Sequence, residues 1–439
     1  LRALFFRTTW AAITLVVAAC ATSESLVTEN DAGNNVIPDD AAAPEAATRD
    51  ASVPIEAGAD GSADGGRCSS DGWCLTPLVD DDFQFSDVWP LADGAFAVGT
   101  SSTRGMKVLE WEDATQSWTY IDDGTQNQLR ARLTNVWAPS KDEVYFTLLH
   151  VGILYGEPNG YGAYVYHGKR PVPPGTKWTW ARSRVICGTV KTMEPKVSGT
   201  SADDVYLTSC ETIYRLTGAI DVPDGGASPW TTEYVDEDPA TFLNFHGFAS
   251  TSPGDTWFVG SRAQGTTSCT VLLRKTGVDG GIERVADSTP LADGCQEQPG
   301  RLTINGDFRE SFVAPAKDRL VGVRYSRDVK NQVVRVARES DGHYSVDESS
   351  PSPTFNVILS RVWGHSDDDL WLVAQSSFGN NPGRVLRGRD LWSGTGTYEY
   401  STLFINETPN TKPLSQIRGT SNNNLWAVGD GRAFHKTTP

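Results

Sequence analysis

The stretch from Arg361 to Gln375, reading Arg-Val-Trp-Gly-His-Ser-Asp-Asp-Asp-Leu-Trp-Leu-Val-Ala-Gln, constrains this chain more than any other feature, because six other segments share its spacing. Each has an apolar residue followed, across a small or acidic turn, by an aromatic or apolar one nine positions later. The segments begin at Val88, Val136, Val197, Phe248, Phe312, Val362 and Ile417, with the first copy one residue shorter than the rest. Starting points 48 to 64 residues apart fall in the range of solenoids, propellers and arrays. Composition within the units separates these. Val, Trp, Tyr and Phe are broken by Gly, Asn, Asp and Pro with no helical periodicity, so each unit is all-β.

Each unit has room for two more strands, as in Met106–Trp111 followed by Ser117–Ile121. Four strands per unit is the blade of a β-propeller. The fourth strand is expected near Trp118, Trp178, Trp230, Ile282, Tyr344 and Tyr398, while the seventh unit ends before it has one. Asp71-Gly-Trp-Cys-Leu-Thr-Pro-Leu-Val79 looks like such a strand and precedes the first repeat. Pairing it with the last unit closes the ring and removes exposed strand edges. The expected fold is therefore a single seven-bladed β-propeller over residues 68–439, closed by pairing of N- and C-terminal strands. Asp, Asn, Ser and Gly in the turns cap the backbone and tolerate left-handed conformations.

Ahead of the repeats, residues 1–19 carry Arg2 and Arg7, an apolar run from Trp10 and small residues leading to Val17-Ala-Ala-Cys20. This is the pattern of a secretory signal, too short for a membrane span. The absence of an initiator Met suggests a non-standard start codon or a slightly trimmed sequence. Val-Ala-Ala-Cys resembles the lipobox of bacterial lipoproteins, which implies cleavage before Cys20 and acylation of its thiol and new amino group. More than one acyl chain is needed for stable anchoring. Ala21 and Thr22, with no Asp following Cys20, favour sorting to the outer membrane.

Residues 20–67 form the next segment, with ten acidic side chains against Arg49 and Arg67. It lacks the apolar surface to fold, and self-repulsion keeps it extended as a linker. Much of the net charge of −17 therefore belongs to a tether. The remainder is still acidic, with no Lys/Arg cluster interleaved with aromatics, which argues against nucleic acid as a partner.

Six cysteines besides Cys20, in a chain with an export signal, point to disulfides. Placing them on the blades predicts Cys68–Cys74, Cys187–Cys210 and Cys269–Cys295. No Cys-x-x-Cys pair supports a zinc site.

Cys68-Ser-Ser-Asp-Gly-Trp-Cys74, followed by Val-Trp-Gly-x-Ser-x-Asp-Asp-x-Trp repeats and Leu425-Trp-Ala-Val-Gly-Asp-Gly431, resembles bacterial lipoproteins built on tryptophan-rich propeller repeats. The resemblance covers about residues 68 to 439. It implies a fold and an envelope location, and little about activity, since many members of the group have no assigned function. The chain departs from the pattern at Ala249 and Val313, where Trp is replaced.

The sequence holds no Gly-x-Ser-x-Gly, His-Glu-x-x-His, phosphate loop or calcium loop. It implies no catalytic residue, metal or cofactor. Residues immediately before the repeat starts, Asp87, Asn135, Lys196, Gly247, Ser311, Arg361 and Gln416, form no ring of one chemical type. The six histidines fall at unlike places in their units. Trp363, Trp371 and Trp426 read as blade core. The best binding candidates are loop residues Tyr155, Asn159, Tyr161, Phe378 and Asn380, whose exposed aromatics beside Asn can stack on sugar or anchor a protein. The long connection from Asp287 to Asn305 is placed on the same face. The expected function is a non-catalytic, lipid-anchored envelope protein that binds a protein or glycan through these loops. The alternative is a propeller hydrolase or lyase acting on extracellular polymer.

Overall fold

The computed structural model describes residues 68–438 apart from 129–130, 152–160, 188–193, 221–227, 237, 239–240, 253, 314–317, 326–331, 377–382 and 406–407. Strands dominate, as β-branched and aromatic residues at alternating positions dictate. They assemble into seven four-stranded antiparallel sheets. In each the strand that carries the repeat start is an edge strand, and the order follows the sequence. Blade 1 runs Phe83–Leu91, Gly94–Ser101, Gly105–Glu112 and Ser117–Tyr120. The inner strands of blades 2 to 7 are Ala131–Ser140, Lys196–Ser201, Phe242–Ser252, Asp307–Val313, Val357–Ser366 and Leu414–Ser421.

Blade 7 supplies three strands, and its fourth is Trp73–Leu75 from the other end of the chain, with Trp73, Cys74 and Leu75 opposite Lys436, His435 and Phe434. This is the predicted closure. Trp73 is fully buried and donates its Nε1–H to Ser401 at 2.9 Å, tying the borrowed strand to blade 6. All three predicted disulfides form, Cys68–Cys74, Cys187–Cys210 and Cys269–Cys295.

A register detail explains the short first copy. In blades 2, 3, 4, 6 and 7 the ladder shifts by a residue just before the first turn, as between Gly364 and Ser366, whereas blade 1 pairs Leu91 directly with Gly94. The missing residue at Val88 is this missing bulge.

Blade 5 corrects the sequence reading. There Ser311 pairs with Gly322 in the place that Val362 and Leu372 hold in blade 6. Its repeat therefore starts at Ser311 rather than Phe312, and Phe312 stands where other blades carry Trp.

The acidic turns do more than cap their own backbone. The first acidic or amide residue of the second strand reaches an arginine or histidine on the third, and that side chain lies over the aromatic of the second strand. Arg387 donates to both oxygens of Asp369, at 2.8 and 2.9 Å, and covers Trp371 at 4.7 Å. Arg274 donates to one oxygen of Asp255 at 3.0 Å and covers Trp257 at 4.9 Å. His167 sits 3.4 Å from Glu143 and stacks on Tyr145, and His435 meets Asn424 at 3.0 Å while stacked on Trp426. Two of the six histidines are thus members of the repeat.

Candidate functional site

The inner strands face one another across the propeller axis, and a β-bulge sets what they present there. In six blades the ladder skips one residue, as between Phe85 and Asp87, Leu133 and Asn135, Phe308 and Glu310, or Leu359 and Arg361. A bulge bends the strand and re-aims the next side chain. With the blade 5 register corrected, the residues after the bulge and their counterpart in blade 3 are Asp87, Asn135, Lys196, Gly247, Glu310, Arg361 and Gln416.

On one side of the ring these residues lace neighbouring blades together. Asp87, 1% exposed, accepts from its own Val88 N–H (2.9 Å), from Val136 N–H of blade 2 (3.0 Å) and from Gln416 of blade 7 (3.0 Å). Asn135 accepts from Val197 N–H of blade 3 at 2.9 Å and donates to Val197 O at 2.8 Å. Gln416 caps its own Ile417 N–H at 2.9 Å. Buried polar groups satisfied in this way hold a single register.

Across the ring the residues are charged or absent. Glu310 lies 3.6 Å from both Arg361 and Arg418, and Arg418 lies 3.6 Å from Asp87 and 5.1 Å over the Trp89 ring. Lys196 donates to Thr134 O at 3.2 Å. A Cβ added at Gly247 would meet nothing within 4 Å.

Beside this belt the axis opens into a cavity of about 680 Å³ whose lining draws on the inner strands of all seven blades. Aromatic rings come from Trp89, Phe248, Phe312 and Trp363, and polar groups from Lys196, His246, Glu310 and Arg418. Trp371 and Trp426 are buried core as expected, at 1% and 0% exposed, but Trp363 is only half-buried and belongs to this lining. The glycine of Val-Trp-Gly has its reason here. A Cβ at Gly364 would come within 2.6 Å of Phe312, and one at Gly419 within 3.1 Å of Trp363, so the ring of one blade packs on the glycine of the next.

His246 bears on catalysis. Its Nε2 is 2.9 Å from Ser261 Oγ and 2.5 Å from Asp307 Oδ1. A relay that activates a hydroxyl needs the acid on one ring nitrogen and the hydroxyl on the other. Both groups here approach the same nitrogen, so this trio does not form that relay. Among the described residues no three His, Cys, Asp or Glu side chains converge as a metal site.

Of the loop residues singled out from sequence, Tyr155, Asn159, Phe378 and Asn380 lie outside the described residues, as does Cys20. Tyr161 opens the third strand of blade 2, in backbone register with Cys187, and its side chain lies outside the description. The connection from Asp287 to Asn305 folds back as a small hairpin, Thr289–Leu291 with Gly294–Gln296, pinned by Cys269–Cys295. Sequence reasoning missed Glu310 and Arg418. Arg418 had a signal, since it follows a repeat start at the place held by Trp89, Trp137 and Trp363.

No protein family matches this sequence, and no curated protein does. Similar solved structures include a prolyl endopeptidase at 13% identity and a TM-score of 0.45, covering 79% of this chain and 46% of that one. A candidate 6-phosphogluconolactonase from Bacteroides uniformis is 12% identical with a TM-score of 0.41, covering 74% and 86%. A puromycin hydrolase is 13% identical with a TM-score of 0.38, covering 67% and 43%. This chain thus spans less than half the length of the endopeptidase and of the puromycin hydrolase. Chemistry has to be argued from the site, since one fold hosts many functions.

Proposed function

We propose that this protein is a non-catalytic binding propeller of a bacterial envelope, held by a lipid on Cys20 at the end of the acidic segment 20–67, with an outer-membrane location. Its partner is a protein or glycan. Three disulfides fit an extracellular or envelope compartment. Among the described residues no helix is long and apolar enough to cross a membrane. The loops of Tyr155, Tyr161 and Phe378 remain one candidate surface; the channel mouth is the stronger one, because all seven blades contribute to it.

The observation that carries this reading is how the mouth spends its charges. Glu310 faces two arginines, Arg418 stacks on Trp89, and Lys196 is bonded to a carbonyl. Groups held this way orient a ligand, while none is paired as nucleophile and base. Half-buried rings beside polar groups are what a pocket uses to hold a ligand and fix its orientation. A hydrolase or lyase reading would have to use His246, whose contacts with Ser261 and Asp307 share one ring nitrogen and form no relay.

Binding of the purified protein to fractionated envelope polysaccharide and protein tests the proposal. Saturable binding that falls about tenfold or more in Trp363→Ala is the expected result. Equal binding by the variant overturns the mouth as the site. New reducing ends or amino termini that appear with wild type and vanish with His246→Ala establish the hydrolase instead.

A further inference from the structure

The ring of belt residues is asymmetric, and its open side has a definite chemistry. In blades 2, 3 and 7 the N–H of the repeat-start residue is capped by a side-chain oxygen of Asp87, Asn135 or Gln416, and Val88 in blade 1 is capped by Asp87. The equivalent N–H groups in blades 4, 5 and 6 belong to Phe248, Ser311 and Val362, by their place in the ladder. Among the described residues no side chain caps these three. The preceding blades offer Lys196, which cannot accept, Gly247, which has no side chain, and Glu310, which faces arginines instead. All three residues line the cavity. The charged side chains that line the cavity are Lys196 and Arg418 against Glu310; behind them Arg361 faces Glu310, Glu194 lies 3.6 Å from Lys196, and Asp87 is already occupied by three donors. Uncapped N–H groups beside Lys196 and Arg418 form a seat for an oxyanion.

We infer that the arc from blade 4 to blade 6 is a carboxylate seat, and that the ligand of the channel mouth is an acidic saccharide. Its carboxylate takes the N–H groups that the belt leaves free, beside Arg418, which lines the same cavity. Its ring lies against Phe312 and Trp363, which stand on adjacent blades and are both half-buried. This inference rests on the mouth being the binding site. It adds the charge of the ligand and the blades that read it.

Gly247 provides a direct test, because open space surrounds its Cβ position and its φ lies outside the left-handed region. Gly247→Asp supplies to Ser311 N–H the cap that Asp87 supplies to Val136, and adds a negative charge. Gly247→Ala supplies neither and serves as the control for folding. Trigalacturonate and neutral trigalactose, titrated calorimetrically against the purified protein, are the probes, with inorganic phosphate as a third.

The acidic trisaccharide is expected to bind about tenfold or more tightly than the neutral one. That preference disappears in Gly247→Asp and persists in Gly247→Ala. Equal binding of both sugars, lost in Trp363→Ala, overturns the carboxylate seat and leaves the mouth standing as a neutral-ligand site. An acid preference unchanged in both Gly247→Asp and Trp363→Ala overturns seat and mouth together. Phosphate binding as tight as trigalacturonate overturns the saccharide and keeps only the oxyanion.

Discussion

The seam between blades 7 and 1 and the seam between blades 3 and 4 both bury aromatic rings, Tyr206 lying 5.6 Å from Phe258 at the second, but the second adds a buried arginine held by two carboxylates. At the first, Trp111, Trp118 and Trp426 meet with ring centroids 5.1 to 5.5 Å apart, and His435 stacks on Trp426 at 4.0 Å. At the second, Arg262 has 3% of its side chain exposed and forms a two-pronged bond to Asp236 of the blade 3 exit at 2.6 and 2.8 Å. It also donates to Asp287 at 2.7 Å, and Lys275 pairs with Glu233 at 2.9 Å. Blades 3 and 4 are consecutive, so the chain itself delivers their partners into range. Blades 7 and 1 must find each other across the whole chain, where closing a long loop costs entropy. Large, undirected aromatic burial suits that task, because it rewards approach before the geometry is right.

The largest expected effect breaks the aromatic seam. Trp426→Ala removes a fully buried ring that touches Trp111, Trp118 and His435. Such truncations cost about 3–5 kcal/mol. Urea unfolding of the purified protein should show a loss of about 4 kcal/mol, and a loss below 1 would mean that the seam is not cooperative with the ring.

Next in size is the ionic seam. Burial opposes the charge of Arg262, but hydrogen bonds to Asp236 and Asp287 and their charges outweigh it and raise its pKa. Removing the cation strands the buried carboxylate of Asp236, while Asp287 keeps Arg284 at 2.9 Å; about 3 kcal/mol is the usual cost of breaking such a buried pair. Arg262→Met should lose that much, and adding Asp236→Asn should restore part of it. If the double variant is less stable than the single, the loss came from packing of the arginine stem rather than from stranded charge.

What was legible in the sequence follows the same division. Blade number, closure by Trp73–Leu75 and the three disulfides were all readable, because each depends on the repeat and on where a residue falls within a unit. The blade 5 register was not, since Ser311 is polar where the other starts are Val, Phe or Ile, and Phe312 beside it looks like the start. The stacks of an arginine or histidine between an acid or amide and an aromatic were hidden for another reason. The basic residue lies 18 residues from its acid at Arg387, 19 at Arg274 and 11 from its amide at His435, so no fixed spacing announces it. The uncapped arc was hidden too. Gly247 and Lys196 acquire meaning only when the bulges have turned Asp87 and Asn135 into caps on the neighbouring blades.

The smallest effect separates the seams by pH. Burial lowers the pKa of His435 from 6.5 to about 4, with the nearby charge of Asp113 opposing it. The unfolded chain takes up a proton near pH 6.5 that the folded chain refuses until about pH 4. Stability from this group is therefore complete above pH 6.5 and falls as the pH drops through that window. By pH 5 the loss is about 2 kcal/mol, at 1.36 kcal/mol per unit. His435→Gln cannot take up the proton, so it should be less stable than wild type at pH 7.5 and lose less between pH 7.5 and 5. Unfolding free energies of both proteins at the two pH values check this. The same comparison with Arg262→Met should show no such narrowing from the lost group, because arginine is charged in the unfolded chain throughout this range and its raised pKa keeps it so in the folded one. If wild type and His435→Gln lose equal stability on acidification, the folded chain takes up this proton as readily as the unfolded one, and burial against Trp426 does not hold the imidazole neutral through this range.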